Sequence, residues 1–228
     1  MRKLNWLLVA APFAISSGVA HAEVTANVGM VSDYIFRGFY QEDASPFGGL
    51  DYAGDSGFYI GTWGADVGDG LEVDVYFGYG GGDDDFNWSV GYTGYRYTED
   101  TFDDDYDELN FSIGASGFGL DLALGQYGNY GSSVDYTYAA ISYSLDNGTS
   151  LQLARTEYDG VGSAPSSNGM WFQVDHSWEI AEGTEVSITF IYSPDGDDPN
   201  STIFLSPDNP LSKDALVFGI TKSMTIGE

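Results

Sequence analysis

The chain has 228 residues, no cysteine, and 35 acidic against 7 basic side chains, a formal charge of −28. The lack of cysteine excludes a disulfide framework and thiolate metal centres. Such acidity excludes nucleic acid as a partner, because phosphates demand Lys and Arg, yet 17 Tyr, 14 Phe and 5 Trp are too many aromatics for a disordered polyelectrolyte.

In chain order, Arg2 and Lys3 open a largely apolar stretch from Leu4 to Val19 that closes on Ala20-His21-Ala22. A basic start, a short apolar run and a small-x-small site predict an export signal over 1–22. That leaves one domain, 23–228, with a formal charge of about −30 once the two leader cations are gone. No later stretch approaches the ~20 apolar residues that a spanning helix needs.

From Glu23 onward the pattern is period two, the signature of strands whose side chains alternate faces. Leu71-Glu-Val-Asp-Val-Tyr-Phe-Gly-Tyr79 shows it most clearly, with apolar odd positions against Glu72, Asp74 and Tyr76. Twelve strands are predicted: Val24–Arg37, Phe47–Ala53, Gly57–Asp66, Leu71–Tyr79, Phe86–Tyr97, Glu108–Ser116, Phe118–Tyr127, Asp135–Leu145, Thr149–Tyr158, Met170–Glu179, Thr184–Tyr192 and Asp214–Thr225. Short connections such as Gly117 and Asp146-Asn147-Gly148 alternate with long ones such as Gly38–Pro46, Thr98–Asp107, Gly128–Val134, Asp159–Gly169 and Ser193–Lys213.

The two faces differ in bulk. Leu109, Phe111 and Ile113, Phe118, Leu120, Leu122 and Leu124, and Val186, Ile188 and Phe190 oppose Asn110, Ser112, Gly114, Gly119, Asp121 and Ala123. Small polar residues cannot build a dry core but can line a wet lumen, whereas soluble barrels fill theirs with apolar side chains. The predicted fold class is therefore all-β: a transmembrane up-and-down antiparallel barrel of about 12 strands. Its turns would be short on the periplasmic side and its loops longer on the extracellular side.

Ser32-Asp-Tyr-Ile-Phe-Arg-Gly38 followed by Gly57-Phe-Tyr-Ile-Gly-Thr-Trp63 resembles the opening of the TorF-family porins. The likeness continues through Glu72-x-Asp74-x-Tyr76-x-Gly78-Tyr79 and Tyr106-Asp107-Glu108-Leu109, over essentially the whole exported chain. It implies a small Gram-negative outer-membrane barrel, inserted by the barrel-assembly machinery. Such barrels usually end on an aromatic residue; here the last residues are Met224-Thr-Ile-Gly-Glu228.

Continuing the alternation makes Asp33, Arg37, Glu72, Asp74, Tyr76, Asp121, Asp175 and Glu185 pore-lining, with Tyr34 and Phe36 toward lipid. Arg37 is then the one inward cation. It either sets a charged constriction or neutralises a neighbouring buried carboxylate. Arg96 and Arg155 fall on the lipid phase near the outer rim, where guanidinium suits lipopolysaccharide phosphates. The runs Asp83–Asp85, Asp103–Asp105 with Asp107, and Asp195 with Asp197-Asp198 lack the spacing of a calcium loop and read as solvated surface. His176, the only histidine after the leader, falls on the outward phase, so no catalytic triad can form. No enzyme, cofactor or bound metal is expected.

The function expected is a porin-like channel in the cell outer membrane for passive diffusion of small solutes, cation-preferring through its acidic lumen. The alternative is an occluded structural or adhesive barrel whose acidic loops bind partners, divalent cations or lipopolysaccharide.

Overall fold

The computed structural model describes residues 22–83, 85–99, 105–129, 132–160, 166–195, 205 and 212–226. The expected leader but for Ala22, and Asp84, Asp103, Asp104, Asp197 and Asp198 of the acidic runs, lie outside them. Fourteen strands form: β1 Glu23–Val31, β2 Asp33–Phe36, β3 Phe39–Asp43, β4 Pro46–Ala53, β5 Phe58–Asp66, β6 Leu71–Gly82, β7 Phe86–Tyr97, β8 Tyr106–Ala115, β9 Phe118–Asn129, β10 Ser132–Ser144, β11 Thr149–Tyr158, β12 Ser167–Ala181, β13 Thr184–Tyr192 and β14 Asp214–Ile226.

Twelve of them close a barrel, each antiparallel to its neighbours, in the order β1-β14-β13-β12-β11-β10-β9-β8-β7-β6-β5-β4. Closure is made by β1, which pairs with β14 from Val24↔Ile226 to Val31↔Gly219 and with β4 from Glu23↔Ala53 to Met30↔Pro46. Every wall strand thus has two partners and no edge is left open.

The burial pattern fixes which face points where. Leu109, Phe111, Ile113, Phe118, Leu120, Leu124, Phe190, Leu216, Phe218 and Ile220 are all exposed, while Glu72, Asp74, Thr93, Glu108 and Thr189 are buried. The barrel is apolar outside and polar inside, as the alternation predicts.

Both rims are built from tight turns where the sequence supplies them. Ser116 and Gly117, at φ 50° and 86°, form the two-residue turn that joins β8 to β9, the left-handed pair that matches strand twist. At the opposite rim β9 and β10 run on to Asn129 and Ser132 and pair there, so a two-residue connection replaces the long loop expected over Gly128–Val134. Backbone pairing continues past the point where the apolar beat fades.

The larger departure is at the start. The expected strand Val24–Arg37 is two elements. Wall strand β1 ends at Val31, and β2 and β3 form a separate two-stranded hairpin. Ser32 makes the break. Its N–H donates to the Phe218 carbonyl at 2.8 Å, its carbonyl accepts from the Ala44 N–H at 2.7 Å, and its hydroxyl oxygen accepts from the Phe218 N–H at 2.9 Å. One residue thereby satisfies both wall and hairpin, and the chain leaves the barrel without orphaning backbone groups.

Candidate functional site

The hairpin folds into the lumen and crosses it. Tyr34 packs edge-on against Trp63 of β5 at 5.7 Å, Phe36 against Tyr95 of β7 at 5.5 Å, and Phe39 against Tyr158 of β11 at 5.8 Å. The Tyr34 hydroxyl donates to Glu72 of β6 at 2.5 Å, and Tyr97 donates to the other oxygen of the same carboxylate at 2.8 Å. The tip reaches β8 and β10, which flank β9, the strand diametrically opposite β1 in the ring.

That tip is Arg37-Gly38, at φ 49° and 87°. A two-residue hairpin turn of this kind favours Asn-Gly, and a non-glycine side chain pays roughly 1–2 kcal/mol for the left-handed conformation. The side chain at the tip offsets that strain. Arg37 donates to both oxygens of Glu108 at 2.7 and 2.9 Å, a planar fork on a planar carboxylate. Its guanidinium lies 4.2 Å from the ring centre of Tyr138 and 4.8 Å from that of Phe36.

Glu108 is held in turn by the wall. Tyr95 donates to it at 2.7 Å, Asn110 at 2.6 Å and Tyr136 at 2.9 Å. The side chains of Arg37 and Glu108 are 12% and 0% exposed. Burial works against the charge on Arg37, but Glu108 more than offsets it and holds the guanidinium above the usual arginine range. Close by, Asp74 is 2% exposed, and one of its carboxylate oxygens has no hydrogen-bond partner.

Below the hairpin, toward the rim that carries β1's start and β14's end, the lumen changes character. Inward residues there are small and polar: Gly49, Gly61, Gly78, Gly91, Ser112, Gly119, Ser142, Ser150, Ser177 and Ser187. The larger ones lie flat. A Cβ on Gly61 would sit 2.5 Å from the Tyr76 ring and one on Gly78 2.4 Å from the Tyr59 hydroxyl; higher up, level with the hairpin tip, one on Gly125 would sit 2.1 Å from the Tyr136 ring. Each tyrosine covers a glycine on the adjoining strand and hugs the wall.

The carboxylates of this lower chamber are steadied by neutral donors. Ser112 donates to Asp121 at 2.5 Å, Thr189 and Gln173 to Asp175 at 2.6 and 2.9 Å, Ser177 to Glu185 at 3.4 Å, and Tyr76 to Asp51. Each of these donors is a neutral hydroxyl or amide.

Of the expected lining residues, Glu72, Asp74, Tyr76, Asp121, Asp175 and Glu185 do face inward from the wall. Asp33 and Arg37 do not belong to the wall: Asp33 opens the hairpin, where Ser32 donates to it at 2.7 Å, and Arg37 is the hairpin's tip. The expectation that Tyr34 and Phe36 face lipid is overturned, because the break at Ser32 moves the segment inside and both rings pack against lumen aromatics. Of the two readings of Arg37, the geometry shows the ion pair, with Glu108 as its partner. The alternation of Leu109, Phe111 and Ile113 puts Glu108 on the inward phase, but it carries no sign of the residue that faces Glu108 across the lumen.

Arg96 and Arg155 are half-exposed on the outward phase near the upper rim, as expected. Arg96 is engaged by Asp107 at 2.7 Å, Asp105 at 3.3 Å and the Tyr95 and Tyr106 carbonyls, whereas among the described residues Arg155 pairs with Glu157 alone, at 3.3 Å. His176 faces outward beside Trp178, with its ring nitrogen 2.9 Å from the Thr149 hydroxyl.

A family model described as "Bacterial protein of unknown function (Gcw_chp)" matches residues 16–224. The chain belongs to the Gcw_chp family. The match takes in β1 to β13, lumen hairpin included, and β14 as far as residue 224, and the Gcw_chp description assigns no function. No curated protein matches the sequence. Among solved structures, an outer-membrane channel from Pseudomonas putida F1 aligns with a TM-score of 0.52 at 11% identity, covering 95% of this chain and 100% of that one. A protein solved in work on in-meso crystallization of membrane proteins aligns with a TM-score of 0.56 at 10% identity, covering 91% and 85%. At such identities the likeness speaks to the fold alone: this Gcw_chp chain has the closed antiparallel barrel of those proteins.

Proposed function

We propose that the protein is a narrow outer-membrane channel of the porin type, reached through an export signal, that passes small solutes and prefers cations. The observation that carries this reading is the lower chamber, an acidic, glycine- and serine-lined lumen inside a wall whose outer face is apolar. Lipid would cover that face, and Asp51, Asp121, Asp175 and Glu185 would concentrate cations and repel anions. The resemblance to TorF-family porins supports the same reading. No reaction and no cofactor form part of it.

The second reading, an occluded structural barrel, draws on the hairpin that spans the lumen. Conductance separates the two. Purified, refolded protein in a planar bilayer under a salt gradient should show a cation-selective reversal potential. Asp121→Asn with Asp175→Asn should move that potential toward zero by at least about 10 mV, since each removes one fixed charge from a confined, weakly screened lumen. A folded barrel that stays silent favours the occluded reading; openings with unchanged selectivity in the double variant sink the acidic-lumen mechanism.

Arg96 and Arg155 are proposed as contacts for lipopolysaccharide phosphate. Arg155, with one carboxylate partner, should matter more than Arg96, whose donors are already engaged. Arg155→Ala should lower the lipopolysaccharide retained on purification severalfold and Arg96→Ala less. Equal retention in wild type and the double variant would remove this assignment.

A further inference from the structure

We infer that the upper lumen wall holds a guanidinium-binding seat, built from Glu108, Asn110, Tyr95, Tyr136 and Tyr138, which Arg37 occupies from within the chain and which takes permeating guanidinium solutes when the hairpin is displaced. The inference rests on the channel reading for the word permeating; the seat itself does not.

The seat is made entirely of wall residues. Tyr95, Glu108 and Asn110, and Tyr136 and Tyr138, stand on β7, β8 and β10. Three donors aim the Glu108 carboxylate so that both its oxygens meet the fork of Arg37. The Tyr138 ring supplies an aromatic face 4.2 Å from the guanidinium carbon. A bidentate carboxylate beside an aromatic face is the chemistry that selects guanidinium over a spherical ammonium ion. Among the described residues, the guanidinium group and the Phe36 ring are what the hairpin brings to the seat, so removing the hairpin leaves the recognition elements standing.

The surrounding charge favours a cation as occupant. Glu108 is the carboxylate on the guanidinium itself, and the buried carboxyl groups of Glu72 and Asp74 stand close by as further acceptors, one Asp74 oxygen being buried without a partner among the described residues. When Arg37 leaves, the wall becomes more negative still. Arg37 is then a tethered competitor: its effective concentration at the seat is millimolar or above, so a solute of the same chemistry enters by displacing it. The channel would admit by mimicry of its own plug.

The test vacates the seat. Arg37→Ala protein in detergent micelles is titrated with methylguanidinium, with methylammonium and sodium as comparison ions, by calorimetry and by the fluorescence of Trp171, which stacks on Tyr138. Binding on the order of 1 mM is reasonable for so small a ligand. The expected result is at least a tenfold preference for methylguanidinium over methylammonium, lost when Glu108→Gln is added. Arg37→Met, which keeps a long apolar stem, serves if Arg37→Ala does not fold. Equal binding of the two organic ions, or a preference that survives Glu108→Gln, overturns the seat. Bilayer recordings of the same variant keep the two readings apart. Preferential binding to a silent barrel supports the seat and removes the channel; current without preferential binding does the reverse.

Discussion

Replacing Glu108 with alanine should expose Arg37 to trypsin, raising the rate of cleavage after Arg37 at least about a hundredfold over wild type. In the native protein the Arg37-Gly38 bond sits at the hairpin tip inside the lumen, and the Arg37 side chain is 12% exposed. A buried ion pair that loses one partner leaves the other charge uncompensated, at a cost of about 3–5 kcal/mol. The barrel wall does not bear this cost, because its twelve-strand ladder contains neither β2 nor β3. The hairpin bears it. Its docking equilibrium shifts by the full amount, and 1.4 kcal/mol is tenfold in a population. Cleavage of a transiently released segment follows that population when reclosing is fast. A fragment beginning at Gly38, read by mass spectrometry, is the observable. The same variant should open more often in a bilayer, because the hairpin is what crosses the lumen. Unchanged protection of the Arg37-Gly38 bond would show that Tyr34, Phe36 and Phe39 suffice to hold the hairpin, and that the ion pair is not its latch.

The architecture was legible because a barrel writes itself in one simple period. Phe86–Tyr97, Thr149–Tyr158 and Thr184–Tyr192 begin and end as strands where the alternation of large apolar with small polar residues does. The hairpin was not legible for the same reason. Val28, Met30, Tyr34 and Phe36 can be read as continuing the beat across Ser32, and no local signal tells an outward-facing strand from one folded inside. The deciding contacts are long-range: Ser32 to Phe218, 186 residues away, and Arg37 to Glu108, 71 residues away. The pair Arg37-Gly38 was the available clue, since a glycine after a polar residue can close a two-residue turn, but arginine is an uncommon first member. Glu108 shows the other limit. Alternation assigned its face correctly, but its importance comes from what faces it across the lumen, and period two says nothing about that.

The glycines opposite the tyrosines set the second large effect, and it tests whether the wall is kept clear by design of the inward face. Gly125→Ala should destabilise the barrel by about 1–3 kcal/mol, the range for overpacking a filled site. The new methyl would lie 2.1 Å from the Tyr136 ring and 2.4 Å from its hydroxyl. Neither is a flexible chain end: the ring is fixed by its bond to Glu108 and by packing against Tyr158 at 5.3 Å. The ring must lift off the wall, and the donor it gives Glu108 goes with it. Gly81→Ala is the matched comparison, because on the outer face its Cβ meets nothing closer than Trp88 at 3.7 Å. That substitution should be neutral or gain up to about 1 kcal/mol from the stiffer unfolded chain. Unfolding in urea of the refolded barrels measures both. A double cycle with Tyr136→Ala decides the cause: if the ring is what the methyl strikes, Gly125→Ala costs little once the ring is gone, giving a coupling of about 1–3 kcal/mol. An additive pair would mean that the strand backbone, and not the tyrosine, requires glycine at that position. The cycle also bears on the lumen, since a Tyr136 forced inward narrows the passage beside Glu108 and should lower single-channel conductance in Gly125→Ala but not in Gly81→Ala.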